Sequence, residues 1–346
     1  MTPRLIAAIG LAASFTLGAG VAHAGPFTAE YVFGDSLSDN GNLAEAYFKQ
    51  NFPNPPSFHD SFTNGPVAVT QLANYFGLQL NPSLFVTGFT DLYGLFGGPS
   101  FVPGTNYAVA GATAAALPPN GGIPGANLPQ QVGAYVARAS GVADPSALYV
   151  LFTGGNDVRN AAIYKQPTSV ITTAVLNEVA AAQTLIADGA KHLLVVNVPN
   201  VGAIPEFTQD PTQNPALATT LSQQYDQTLA ADINGLTLSS GTTLTQFDLY
   251  GYNAGIAARA KSLGFTNTTD PCFTNTPLSP AATPGCGPNG ANVNQYLYWD
   301  SIHPTAPVQT LWAQGFEAAL VPEPSSALLL GLGVAGLAVM TRRRIA

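Results

Sequence analysis

The sequence predicts an α/β fold, a three-layer αβα sandwich around a central, mainly parallel five-stranded sheet. Three observations carry that expectation. Short apolar runs rich in β-branched residues alternate with longer stretches of helical period, the pattern of a parallel sheet covered on both faces. A length of 346 residues with 46% hydrophobic content suits one large domain with a sizeable core. No internal repeat breaks the alternation.

In order along the chain, strands are expected at Tyr31 to Phe33, Asn106 to Val109, Leu148 to Phe152, His192 to Val196 and Thr243 to Phe247. Helices are expected at Pro66 to Phe76, Pro129 to Ala139, Thr168 to Asp188, Pro215 to Asn234, Gly251 to Leu263 and Thr305 to Leu320. The stop after the third of these is explicit, because Gly189 follows its last periodic residue. Gly/Pro/Asn-rich stretches at Phe85 to Gly104, Leu117 to Asn127 and Phe265 to Asn292 read as loops within the domain.

Both ends look like addresses. After Arg4, an apolar stretch from Leu5 to Val21 leads to Ala22-His23-Ala24. That is the outline of a signal peptide over residues 1–24, cleaved by signal peptidase. At the other end, Val321-Pro322-Glu323-Pro324 precedes an apolar run from Ser325 to Met340 and then Arg342-Arg343-Arg344. The run is slightly short of the ~20 residues of a comfortable span, and the arginines would stay cytoplasmic. Residues 25–320 are then the folded domain and 321–346 a tail whose membrane segment is a transient or a permanent anchor. Charged residues are only 9% of the chain, and without the two end segments 7 basic and 18 acidic residues remain. An acidic body of this kind disfavours nucleic acid as a partner. Export also accounts for Cys272 and Cys286, the only two cysteines, which are expected to form one disulfide in an oxidising compartment. A metal site there is the weaker reading, with no histidine or third cysteine nearby.

Three residues carry the chemistry. Ser36 stands just after the first strand, in FGDSLSDNGN, and Asp300 lies three residues before His303 in YWDSIHPT. A serine hydroxyl is too weakly acidic to attack an ester at neutral pH, so it needs an imidazole to take its proton and a carboxylate to orient that imidazole. The chain has four histidines. His23 falls in the signal segment, and His59 and His192 lack a carboxylate at a comparable spacing. In an open parallel sheet the ligand crevice lies outside the carboxyl ends of the strands. Ser36, Gly111 and the Gly154-Gly155-Asn156-Asp157 stretch all follow strands there. Taken singly, each has a structural alternative: Ser36 as a helix N-cap, Asn156 and Asp157 as an Asx-turn, and Gly111 as a turn glycine.

Together these blocks resemble the GDSL or SGNH hydrolases, specifically their lipase and esterase branch, from about Tyr31 to Leu320. Four blocks fit in order: Phe33 to Asn42, Asn106 to Ala112, Gly154 to Asp157, and Asp300 to Thr305. Phe62 to Pro66 and Val198 to Pro205 look like the family too. The resemblance implies a flavodoxin-like sandwich with Ser36 as nucleophile, His303 as general base and then acid, and Asp300 as the carboxylate that holds the imidazole. It also implies an oxyanion hole from the backbone N–H groups of Ser36 and Gly111 and the side-chain amide of Asn156. Neither a metal nor a cofactor is called for. The tail resembles the PEP-CTERM signal of Gram-negative bacteria, which implies a membrane transpeptidase as a processing partner. The expected location is therefore the periplasm, the outer surface or the extracellular matrix.

Hydrolysis of a small-molecule or lipid ester through an acyl-serine is the leading reading. Acyl transfer by the same machinery is the alternative within enzymes, and a non-catalytic matrix protein is the alternative outside them. Phenylalanines and small residues between Phe85 and Phe101 read either as an acyl site or as loop anchors.

Overall fold

A computed structural model describes residues 26–44, 61–83, 104–115, 125–273, 285–286 and 291–321. The predicted signal peptide, His59, the Phe85 to Phe101 stretch and the PEP-CTERM-like tail beyond residue 321 lie outside the described residues.

Four parallel strands lie side by side in chain order: β1 (Glu30–Gly34), β2 (Leu148–Phe152), β3 (His192–Val196) and β4 (Thr243–Phe247). Each of the first three is nearly continuous in buried apolar residues, as a strand covered on both faces requires. Alternation sends Tyr149 and Leu151 to one core and Leu148, Val150 and Phe152 to the other. Helices α2 (Leu128–Ala139), α3 (Gly155–Ile163), α4 (Ser169–Ala187) and α6 (Pro215–Asn234) cover the first core. Helices α1 (Ala68–Tyr75), α7 (Leu249–Ala258) and α8 (Ala306–Leu320) cover the second. These are the three layers.

The fifth expected strand takes a looser form. The Tyr107 and Val109 N–H groups donate to the Val32 and Gly34 carbonyls at 2.7 and 3.2 Å, and Asn106 bridges Val32 in parallel. The segment thus extends the sheet beyond β1 without becoming a regular strand. Its own backbone is diverted, since Asn106 Oδ1 accepts from the Ala108 N–H at 3.0 Å.

Three further differences follow. Gly155 opens a helix, α3, in a stretch where the apolar pattern predicts none. The expected loop from Phe265 to Asn292 contains β5 (Asn267–Pro271), which pairs in parallel with β6 (Tyr296–Tyr298) as a second, two-stranded sheet. The short α5 (Pro205–Thr208) was likewise not expected. Cys272 and Cys286 are joined in a disulfide just after β5, with Cα atoms 4.9 Å apart.

Candidate active site

Ser36 owes its position to a tightly tied turn at the carboxyl end of β1. Gly34 ends the strand, where a Cβ would fall 2.3 Å from the Phe152 carbonyl oxygen, so only glycine fits this approach of β1 to β2. Gln131 of α2 then clamps Gly34, accepting from its N–H and donating to its carbonyl, both at 2.8 Å. The Ser38 and Asp39 N–H groups return to the Asp35 carbonyl at 3.0 and 2.9 Å, which leaves Ser36 at the crest of the turn. The Asp39 carboxylate accepts from the N–H groups of Gly41, Asn42, Leu43 and Ala110. Asn42 donates to the Asn106 and Ala108 carbonyls, each at 2.8 Å. The FGDSLSDNGN block is therefore stitched to the 106–112 segment by the Asp39 and Asn42 side chains.

The acid–base pair arrives from the opposite end of the chain. Asp300 is fully buried, and its carboxylate is compensated by three donors. The Ile302 and His303 N–H groups donate to its Oδ1 at 2.8 and 2.7 Å, and His303 Nδ1 lies 2.8 Å from its Oδ2. Because an ionised carboxylate only accepts, Nδ1 carries the proton and Nε2 is left as an acceptor. That nitrogen is 2.8 Å from Ser36 Oγ, across a sequence separation of 267 residues.

The loop holding this pair is braced on both sides. Thr63 donates to the Pro304 carbonyl at 2.9 Å, Asn64 Oδ1 accepts from the Ala306 N–H at 2.8 Å, and the Phe62 ring lies 5.2 Å from the imidazole. On the other side, the Trp299 N–H donates to the His303 carbonyl at 2.8 Å, and Trp299 packs against Phe273 and the disulfide.

Asn156 stands in the first turn of α3. The turn before it needs Gly154, which has φ 96° and where a Cβ would fall 2.3 Å from the Tyr225 ring. The Asn156 amide donates to the Ala112 carbonyl at 2.9 Å, which leaves its second N–H uncommitted to that bond. Gly111 sits in the adjoining turn with φ 82°, a conformation that favours glycine. Asp157 binds the same segment from below, accepting from the Ala114 and Ala115 N–H groups at 2.8 and 2.9 Å. Ser36 and Asn156 line one cleft of about 320 Å³, and Gly111 is not among its lining residues.

Burial dominates the electrostatics. It raises Asp35 to about 7 and Asp39 and Asp157 to about 6, with the backbone donors on each working in the other direction.

The order of the four blocks, now seen as one constellation, is matched by a family model. The model of the GDSL-like lipase/acylhydrolases covers residues 31–316. The chain belongs to that family. A second model, the PEP-CTERM protein-sorting motif, matches residues 320–344, an export signal of Gram-negative bacteria. Relatives of this GDSL-like chain include an uncharacterized protein of Pseudomonas putida, 28% identical over 86% of the chain and 50% of its own length. A GDSL esterase/lipase of Arabidopsis thaliana is 26% identical over 82% of the chain and 85% of its own. The phosphatidylcholine-sterol acyltransferase of Aeromonas hydrophila is 27% identical over 52% of the chain and 47% of its own. The chain thus spans about half the length of the two bacterial relatives.

Several features of this GDSL-like site escape the motif blocks. Gln131 sits mid-helix with no pattern to mark it, yet it fixes the end of β1. Arg159, one turn beyond Asn156, lines the cleft and makes two bonds of 2.5 Å to Glu206. Its i+3 spacing from Asn156 is the one signal that would have found it, given that α3 is a helix. The remaining wall comes from residues 199–204, β6, the loop after it, α7 and α8, segments whose nearness to Ser36 is purely tertiary.

Proposed function

We propose that this protein is an exported serine esterase or lipase that hydrolyses carboxylic esters through an acyl-serine intermediate. The observation that carries this is the 2.8 Å contact between Ser36 Oγ and His303 Nε2, backed by Asp300 on Nδ1. In this reading His303 takes the Ser36 proton as the oxygen attacks the ester carbonyl, and Asp300 stabilises the imidazolium that forms. The tetrahedral oxyanion is received by the N–H groups of Ser36 and Gly111 and by the Asn156 amide. His303 then gives the proton to the leaving alcohol, and a water molecule, deprotonated by the same nitrogen, releases the acid.

Removal of residues 1–24 by signal peptidase and processing of residues 321–346 by a transpeptidase complete the picture. The catalytic body, residues 25–320, then acts outside the cytoplasm. The sorting motif and the paired cysteines support that location.

The test is Ser36→Ala. Turnover of a short-chain p-nitrophenyl ester should vanish while the thermal melt is retained, and a fluorophosphonate probe should label the parent protein at residue 36 alone. Activity that survives the substitution, or labelling elsewhere, would remove Ser36 from the role.

The relative named as an acyltransferase favours one second reading, in which an alcohol rather than water accepts the acyl group. Product analysis with added glycerol separates the two, since ester in excess of free acid would replace hydrolysis by transfer.

A further inference from the structure

We infer that the acyl part of the substrate occupies the cleft between α7, α8 and residues 199–204, and that Ala254 and Ala257 set the chain length it accepts; this rests on the reading of Ser36 as the nucleophile. The cleft has a polar end and an apolar body. Ser36 and Asn156 line the polar end. Elsewhere the polar side chains on the wall face protein partners. Asn253 Oδ1 accepts from Trp312 Nε1 at 2.6 Å, the Tyr298 hydroxyl donates to the Ala203 carbonyl at 3.1 Å, and Arg159 is held by Glu206. What remains for a ligand is hydrocarbon. Leu297, Val308 and Trp312 form a buried floor, and the exposed Ala254 and Ala257 form the rim, three residues apart on one face of α7.

The side of the ester that enters this body follows from proton transfer. The leaving alcohol must reach His303 Nε2, because that atom protonates it. The imidazole does not line the cleft and packs instead beside Phe62. The alcohol therefore departs on the Phe62 side, and the acyl chain runs away from it along α7. A volume of about 320 Å³ lies at the low end of the roughly 300–1,000 Å³ range of ligand sites. That volume suits one hydrocarbon chain of medium length. The substrate class is accordingly an ester whose transferred group is a single medium-length fatty acyl chain. The alcohol and any second chain remain outside.

The alanines matter because they are small. On an exposed helical face a larger side chain meets no packing conflict in α7 itself, so it would extend across the rim and shorten the cleft.

The experiment is a series of p-nitrophenyl esters of graded acyl length on the full domain. For the parent protein kcat/KM should rise by about fourfold per added methylene, the equivalent of burying one CH₂, and then level off when the cleft is full. Ala254→Phe and Ala257→Phe should move the break to shorter chains and lower the long-to-short ratio at least tenfold. Val308→Ala, which deepens the floor, should move the break to longer chains. Val142→Phe, at an exposed position away from the cleft, should leave the ratio alone. A second series with the acyl group fixed and the alcohol lengthened should show no such break in any variant.

If the parent shows the rise but neither alanine variant nor Val308→Ala shifts the break, the assignment of the cleft is overturned. It is equally overturned if the shift follows the alcohol series. If the parent cleaves no ester of any length, the ester reading itself falls and takes the inference with it.

Discussion

Asn156 is the residue whose role depends most on a single side-chain group. Its amide has two N–H donors, one committed to the Ala112 carbonyl at 2.9 Å and the other available at the polar end of the cleft. Loss of one preorganised oxyanion donor typically lowers kcat by about 10²–10³-fold. For Asn156→Ala we expect a fall of that size in kcat with KM little changed, measured on a saturating short-chain ester. A variant that instead raises KM with kcat intact would make Asn156 a ground-state binding group. Ser36 and His303 are easier to read, since a serine without a general base could not react. Asp35, Asp39 and Asp157 serve a different end. Their carboxylates accept backbone N–H groups from the turns that carry Ser36 and flank Gly111, so they hold the geometry of those turns.

At the scale of elements, the decisive contact is between the disulfide-bearing segment and the strand that leads to Asp300. The Cys272 N–H donates to the Tyr298 carbonyl at 3.0 Å and the Phe273 N–H to the Trp299 carbonyl at 2.8 Å. Asp300 is the next residue in the chain. Cys272 and Cys286 are 14 residues apart, and in the chain-entropy model a closed loop of about 15 residues contributes ~3 kcal/mol of stability. The double variant Cys272→Ala, Cys286→Ala should therefore lower the urea midpoint by an amount of that order. It should also reduce kcat under native conditions, because the segment that carries Asp300 and His303 loses part of its support. Equal stability with and without the disulfide would deny the segment any structural role. The same logic explains Phe62 to Pro66, whose Thr63 and Asn64 secure the chain immediately after His303.

Across the whole molecule, buried carboxyls set the response to pH. Glu30 and Glu178 are fully buried and raised well above the ordinary range. Asp226 rises to about 8, Asp35 to about 7 and Asp39 to about 6, with burial the first cause in every case. A raised folded value means that the neutral form is favoured by folding. The corresponding stability is fully present below the unfolded carboxylate range near 4 and is lost as pH climbs through the folded values. Chemical unfolding should therefore show a higher midpoint at about pH 5 than at about pH 8.5, where Asp35, Asp39, Asp157 and Asp226 are all forced to ionise. A midpoint that rises across that interval would show that these groups are stabilised as anions.

The sequence by itself determined the alternating β and α elements, the C-terminal sorting motif, the Ser36, Asp300 and His303 types and the family that joins them. Those features are local: apolar period and short motifs are written in consecutive positions. Even so, α3 was hidden, because Gly154-Gly155 reads as a loop. It starts there only because Gly154 lets the backbone turn at positive φ against Tyr225. The fifth strand read as regular but is diverted by the Asn106 side chain, a competition that apolar pattern does not record. Only the tertiary structure decided that Ser36 and His303 meet at 2.8 Å, that Gln131 clamps the end of β1, and that α7 and α8 wall the cleft. The physical reason is that such contacts join segments far apart in the chain, and their geometry is set by the sheet order and helix packing that the whole chain adopts at once.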